Sequence, residues 1–156
     1  MLSAGILESR LNALYNQLEA LRPDSSDAEL LSFASFFAKD CVVNFESMRE
    51  ANEPTRGRDG VVAKLRDVMK HVYLEQRTVV SQAISEADMR VFSEMKNRYN
   101  VHSEVLEDFP ETLVATFDDE GLITNFSLYC CKSNVLIMIQ KATGNGPFSA
   151  QEMTKW

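Results

Sequence analysis

The spacing of the apolar residues changes near Asp40, and this change is the strongest constraint that the sequence places on the fold. Before Asp40 the apolar residues recur every three or four positions, which is the period of an α-helix. The first helical stripe consists of Leu7, Leu11, Leu14, Leu18 and Leu21. Pro23 and Asp24 end this helix, and the phrase Ser26–Glu29 is a capping box that predicts a second, short helix.

The residues after Asp40 predict a strand, a loop and a third helix. Cys41–Phe45 is rich in β-branched and aromatic residues, so we expect it to form the first strand. The polar stretch 49–58 contains a proline and a glycine and predicts a loop. Helical spacing then returns, and the third helix is expected to run from Arg58 to Tyr73.

The second half of the chain is typical of strands joined by short turns. Asp108–Pro110 predicts a break between two strands, and Asp118–Gly121 predicts a turn before the last strand. The expected strands cover 76–84, 91–105, 112–117 and 122–139. We therefore expect an α+β domain over residues 1–141, followed by a C-terminal tail over 142–156. Its fold should be cone-shaped, with a curved, mainly antiparallel sheet and three helices covering the concave face.

Charge and cysteine usage exclude several classes of protein. The net charge of −7 argues against a nucleic-acid partner, because an acidic surface repels phosphate backbones. The three cysteines form neither a disulfide framework nor a zinc motif, so no metal is expected. The chain begins without a signal-peptide pattern, and Val135–Ile139 is too short to span a membrane. These features predict a soluble, cytoplasmic protein that does not bind membranes.

Four local phrases, in this order and spacing, resemble the SnoaL-like branch of the nuclear-transport-factor-2-like superfamily. They are Phe37–Val43, Arg56–Val62, Phe117–Ile123 and Leu128–Tyr129, and the resemblance extends over roughly residues 5–141. It implies a closed apolar pocket with few polar groups. The enzymes of this superfamily, which include polyketide cyclases and isomerases of fungal meroterpenoid pathways, usually use acid–base chemistry without a cofactor. Other members are transport and assembly domains without chemistry.

The sequence departs from the catalytic patterns of well-known relatives. Leu128 stands where the last strand of limonene epoxide hydrolase-like and SnoaL-type enzymes carries an aspartate. Met95 and Asn97 stand where the former have an arginine and an aspartate, and only Asn44 matches their first-strand asparagine. The resemblance therefore does not support epoxide hydrolysis by that machinery.

Alternation along the strands leaves four polar residues on the expected inner face, namely Asn44, Glu46, Asn97 and Tyr99. A glutamate in an apolar pocket has a raised pKa and serves as a general acid or base, whereas tyrosine and asparagine hydrogen-bond a developing oxyanion. The alternative is structural: Glu46 is then a solvated strand end and Tyr99 a core residue. The expected substrate-binding residues are Phe45, Met69, Met95, Phe126 and Leu128.

These residues favour a cofactor-independent isomerase or cyclase, with a lyase or hydrolase as neighbouring possibilities. The expected substrate is an apolar secondary metabolite such as a polyketide or meroterpenoid, rearranged next to a carbonyl or at a lactone. The main alternative is a non-catalytic domain for small-molecule binding or dimeric assembly, and a protein-carrier role is a third. Glu94, Lys96 and Arg98 lie on the opposite strand face, which we expect to form a homodimer interface.

Overall fold

The computed structural model describes residues 1–45 and 53–154. The helices are α1 (Ala4–Ala20), α2 (Asp27–Ala34), α3 (Gly57–Val68), α4 (Ser133–Thr143) and α5 (Ala150–Met153). The strands are β1 (Phe37–Asn44), β2 (Thr55–Arg56), β3 (Val72–Gln76), β4 (Val79–Ser85), β5 (Arg90–Val101), β6 (Glu104–Phe117) and β7 (Ile123–Tyr129).

The described strands form one curled, mixed sheet in the order β2-β1-β7-β6-β5-β3, and β4 pairs with β5 beside β3. β1 and β7 run parallel, whereas the other neighbours run antiparallel. Helices α1, α2 and α3 share one apolar core with the inner face of this sheet. The expected α+β cone is confirmed, and α4 and α5 are additional helices.

The first two helices follow from the patterns that predicted them. Leu7, Leu11 and Leu14 are fully buried on α1, because residues three and four apart share one helical face. At the start of α2, the Ser26 hydroxyl accepts a hydrogen bond from the Glu29 amide. The Glu29 carboxylate accepts one from the Ser26 amide at 2.6 Å in return, which completes the predicted capping box.

The third helix is shorter than the sequence predicted. It ends at Val68, and Val72 and Tyr73 already belong to strand β3, where they pair with residues of β5. Three or four apolar residues that follow a helix cannot be assigned to helix or strand by spacing alone. Pairing with β5 decides the conformation of this segment.

The expected break at Asp108–Pro110 is wrong, because β6 runs continuously through it. Asp108 adopts a φ of 51°, and the register of β5 and β6 shifts there between Asn97 and Tyr99. A β-bulge therefore takes up the extra residue, and it lets Pro110 remain in the strand opposite Lys96.

The expected strand over 91–105 is in fact two strands. β5 ends at Val101 and β6 begins at Glu104. His102 and Ser103 form the tight turn between them, with φ values of 49° and 71°. Two consecutive positive φ values are typical of hairpin turns, which usually contain asparagine or glycine. Neither asparagine nor glycine stands at these two positions, so the turn could not be predicted from the sequence.

The expected strand over 122–139 ends at Tyr129, and the apolar run Val135–Ile139 belongs to helix α4. The end of this helix is marked by Gly144, whose φ of 77° is the left-handed conformation of a helix C-cap. Val135 packs against Val101 and Phe109, which places α4 over the end of β5 and β6.

The residues after α4 fold back onto it. The Gln140 side chain donates a hydrogen bond to the Phe148 carbonyl at 2.6 Å and accepts one from the Phe148 amide at 2.9 Å. The domain boundary at residue 141 stays a prediction. Within the described ranges, no helix has the length and apolar character that a membrane crossing requires.

Replacing Leu11 with alanine should destabilise the fold strongly, because it opens a cavity in the core beneath α1. We expect the free energy of unfolding to fall by about 2–5 kcal/mol. Leu31→Ala on α2 is the matched control, since this leucine is 53 % exposed and its truncation should cost about 0.5 kcal/mol or less. Urea denaturation measures both values, and equal losses would contradict the assignment of the core.

Candidate functional site

A mainly apolar cavity of about 130 Å³ lies between the helices and the inner face of the sheet. Helices α1, α3 and α4 and strands β3, β5, β6 and β7 all contribute to its wall. Apolar side chains of this wall include Leu18, Leu65, Leu74, Phe109 and Val135. The polar groups among the described lining residues are few, which makes each of them informative.

The carboxyl group of Glu111 is the most unusual of these polar groups. Glu111 lies on β6 between the inward-facing Phe109 and Leu113, and it is only 5 % exposed. One of its oxygens, Oε2, accepts a hydrogen bond from Asn97 Nδ2 at 2.7 Å and another from the Tyr99 hydroxyl at 2.7 Å. Both donors come from the neighbouring strand β5, so sheet pairing brings the three side chains together.

The orientation of the Asn97 amide is fixed on both sides. Its Oδ1 accepts a hydrogen bond from the backbone amide of Thr78 at 3.1 Å, at the start of the segment that leads into β4. Its Nδ2 is thereby directed toward Glu111. A buried amide that uses both of its polar atoms holds the carboxyl group in one position.

The pKa of Glu111 is raised, because burial in the apolar cavity disfavours the charged form. The hydrogen bonds from Tyr99 and Asn97, the positive charge of Lys132 and a hydrogen bond with Cys130 oppose this effect without cancelling it. The carboxyl group therefore exchanges its proton at a higher pH than an exposed glutamate does. A carboxyl group with a raised pKa is suited to take up a proton and to return it.

Two tyrosines lie beside this carboxyl group. Burial raises the pKa of Tyr99, and the charge of Glu111 raises it further. Burial and then Glu111 also raise the pKa of Tyr15, which lies on α1 and lines the same cavity. Both phenols therefore keep their protons and are able to donate hydrogen bonds. Within the described parts of the chain, the Tyr99 hydroxyl donates to Glu111, whereas the Tyr15 hydroxyl makes no hydrogen bond.

The structure brings two of the four expected catalytic residues together. Asn97 and Tyr99 meet at Glu111. Asn44 lies at the end of β1 beside Ser127 of β7, and it is not among the side chains that line the cavity. Glu46 lies outside the described residues.

Four of the five expected substrate-binding residues line the cavity, namely Phe45, Met69, Phe126 and Leu128. Met95 does not. It is fully buried, and its sulfur instead accepts a hydrogen bond from Arg77 Nε at 3.2 Å. Met95 therefore contacts the side chain of Arg77 behind the cavity wall.

The predicted break at Asp108–Pro110 leaves Glu111 outside the predicted strands, so alternation along a strand does not identify it. Phe109, Leu113 and Phe117 alternate with exposed residues, and Glu111 falls on the same inner face at period two. The alternation was visible in the sequence, but the proline in the middle of it favoured a break.

The two histidines lie in contact with each other and do not line the cavity. His71 Nδ1 is 2.8 Å from His102 Nε2, at the turn before β3 and the turn after β5. Across residues 1–45 and 53–154, no three His, Cys, Asp or Glu side chains are close enough together to hold a metal ion. The polar groups at the site are carboxyl, phenol, amide and amine groups.

No protein-family model matches the chain, and no curated protein matches its sequence, but many solved structures share its fold. An NTF2-like protein of unknown function from Burkholderia pseudomallei superposes with a TM-score of 0.67, at 14 % identity, over 86 % of this chain and 97 % of its own. The chain has the NTF2-like fold. The resemblance seen in the sequence is thereby confirmed at the level of the NTF2-like architecture.

Two further structures with this fold have been given possible activities. A candidate isomerase from Bacillus subtilis gives a TM-score of 0.65 at 16 % identity, over 95 % of this chain and 99 % of its own. A candidate polyketide cyclase from Xanthomonas campestris gives 0.66 at 14 % identity, over 86 % and 97 %. At such identities the likeness establishes the NTF2-like fold alone, and the chemistry has to be argued from the site.

Replacing Glu111 with glutamine should change how stability depends on pH. A carboxyl group whose pKa is raised by folding contributes most stability below its ordinary value of 4.5, and this contribution is lost as the pH rises through the raised pKa. Glutamine does not titrate. The free energy of unfolding of Glu111→Gln, relative to that of the wild type, should therefore improve as the pH rises from 4.5.

Urea denaturation at a series of pH values measures this difference. Glu104→Gln is the control, since Glu104 is an exposed residue on the same strand. A difference between Glu111→Gln and the wild type that stays constant with pH would show that folding does not perturb the Glu111 carboxyl.

Proposed function

We propose that the chain is a cofactor-independent isomerase or cyclase that moves a proton next to a carbonyl group. The single observation that carries this proposal is the carboxyl group of Glu111, which is nearly removed from water inside an apolar cavity. Burial raises its pKa, and phenol and amide donors surround it. This combination is what proton transfer at carbon requires from a protein without a cofactor.

In the proposed reaction the ionised Glu111 removes a proton from the carbon next to the substrate carbonyl. The electron pair of the broken C–H bond moves into an enolate, whose oxygen becomes negatively charged. In an isomerisation the protonated Glu111 returns the proton to a different carbon. In a cyclisation the enolate carbon forms a bond to a second carbonyl carbon of the same substrate, and Glu111 gives its proton to the resulting alkoxide.

The donors around Glu111 have different tasks in this proposal. Asn97 and Tyr99 already donate to the carboxylate, so they orient the base and keep its charged form accessible. Tyr15 lines the cavity, and its hydroxyl makes no hydrogen bond within the described residues, so it can donate to the enolate oxygen. A buried donor aimed at a developing negative charge stabilises the transition state more than the ground state.

The size and lining of the cavity suit a small, apolar ring. An engineered apolar cavity of roughly 150 Å³ in another protein binds benzene, and the cavity here measures about 130 Å³. A cyclic ketone or the reactive ring of a polyketide or meroterpenoid fits this description. Larger parts of such a substrate would extend past Lys64 and Lys132, which line the cavity and are only partly buried.

A non-catalytic binding domain is the second candidate, and the hydrogen bonds of Glu111 favour it. Buried polar groups are normally satisfied by partners, and this carboxyl group already has two strong donors. In that case the hydrogen bonds of Asn97 and Tyr99 with Glu111 hold β5 and β6 together, and the cavity binds an apolar molecule without changing it.

Homodimer formation and a cytoplasmic location stay predictions. On the expected dimer face, Arg98 lies 3.0 Å from Glu75 and 3.3 Å from Glu107.

Exchange of the α-protons of cyclohexanone in D₂O, followed by proton NMR, tests the enzymatic proposal without knowledge of the natural substrate. We expect the wild-type protein to accelerate this exchange and Glu111→Gln to reduce the acceleration by about 10²- to 10⁴-fold. Glu104→Gln should behave like the wild type. Wild-type rates in Glu111→Gln would contradict the role of this base, whereas binding without exchange would favour the second candidate.

The same exchange should increase with pH, since only the ionised carboxylate removes a proton. Because burial raises the pKa of Glu111, the midpoint of the rise should lie above the ordinary value of 4.5. Tyr99→Phe removes a donor to the charged form and should move this midpoint to still higher pH. A midpoint at the ordinary value, unchanged in Tyr99→Phe, would contradict the proposed environment of the base.

A further inference from the structure

The side chain of Arg77 carries a positive charge into the region behind the cavity wall. Arg77 lies between β3 and β4 and is partly buried, and its guanidinium carbon is 4.4 Å from the centre of the Tyr15 ring. Asn12 Oδ1 accepts a hydrogen bond from Arg77 Nη1 at 2.7 Å, and Ser93 Oγ lies 3.4 Å from Nη2. The guanidinium group thus connects helix α1 with strand β5 beneath the tyrosine.

The direct partners of this guanidinium group are uncharged. In the described residues no carboxylate forms an ion pair with it, and the Glu19 carboxylate accepts a hydrogen bond from the Arg77 backbone amide instead, at 2.7 Å. Burial lowers the pKa of Arg77. The charges of Glu19 and Glu8 oppose this shift without forming an ion pair with the guanidinium group. The face of the Tyr15 ring therefore joins uncharged hydrogen-bond acceptors as the surroundings that this cation meets.

A cation on the face of a phenol ring has two effects. It holds the ring in one orientation, because rotation would lose the cation–π contact. It also stabilises negative charge on the phenol oxygen and so makes the hydroxyl a stronger hydrogen-bond donor. For Tyr15, the charge of Arg77 opposes the rise in pKa that burial and Glu111 cause.

We propose that Arg77 is a positioning residue for Tyr15: it fixes the tyrosine ring at the cavity wall and strengthens the hydrogen bond that the hydroxyl donates to a developing oxyanion. This inference rests on the proposed function, since it assigns the oxyanion of that reaction to Tyr15. Arg77 does not line the cavity and acts through the tyrosine alone.

The first test compares cyclohexanone exchange in wild type, Arg77→Met and Arg77→Lys. Methionine keeps much of the side-chain bulk and removes the charge, so we expect the rate at saturating ketone to fall roughly three- to thirty-fold with little change in ketone affinity. Lysine keeps the charge and should recover part of the rate. Arg90→Met is the control, because Arg90 lies at the start of β5 and contacts Thr116. Arg77→Gln, which retains hydrogen-bonding groups, replaces Arg77→Met if the methionine variant does not fold.

A double variant separates positioning from a general structural role. In the Tyr15→Phe background there is no hydroxyl to strengthen, so Arg77→Met should cause no further loss of rate. Installing 3-chlorotyrosine, a more acidic phenol, at position 15 of Arg77→Met should restore part of the rate. Losses that multiply in Tyr15→Phe, or a chlorotyrosine variant without recovery, would overturn the inference.

Binding of 4-nitrophenol distinguishes failure of this inference from failure of the proposed function. Its phenolate resembles an enolate, and its visible absorbance reports the ionised fraction of the bound molecule. If the wild type binds 4-nitrophenol but catalyses no exchange, the proposed function fails, and a lower ionised fraction in Arg77→Met still supports the Arg77–Tyr15 coupling. Equal ionised fractions in both proteins, or no binding at all, would overturn the coupling.

Discussion

The burial of the Glu111 carboxyl group is the constraint on which the rest of the site depends. An ionisable group that is 5 % exposed is tolerated only where donors face it, because its lost hydration has to be replaced. Asn97 and Tyr99 provide these donors from β5, and the Thr78 amide fixes the Asn97 side chain from the other side. The pairing of β5 with β6 therefore satisfies the carboxyl group and positions it in the cavity in one step.

The same contacts set the affinity of Glu111 for a proton. Burial favours the neutral acid, whereas the two donors and the charge of Lys132 favour the carboxylate, and the outcome is a raised pKa. Burial without donors would leave an acid too weak to ionise, and donors without burial would leave an ordinary surface carboxylate. The opposing effects leave one carboxyl group with a raised pKa on the wall of this NTF2-like cavity.

Much of the fold followed from local patterns, whereas the centre of the site did not. The leucine stripe of α1 and the capping box of α2 are properties of short segments, and alternation along β5 correctly placed Asn97 and Tyr99 on the inner face. Glu111 depends on a bulge at Asp108 that keeps β6 continuous through Pro110. Helix α4 escaped prediction because five apolar residues fit a strand or a helix equally well, and its packing on β5 and β6 decides between them.

The family resemblance implies an acid on the last strand, but Leu128 stands at that position instead. Leu128 and Glu111 lie on neighbouring strands, and both line the same cavity. In a curved sheet the inner faces of adjacent strands converge, so an acid can be carried by either strand and still reach a ligand in the cavity. The absence of an aspartate at Leu128 therefore says little about whether the cavity contains a base. Chemistry in a fold of this kind has to be inferred from the complete set of inward-facing residues, because matching one strand at a time overlooks its neighbours.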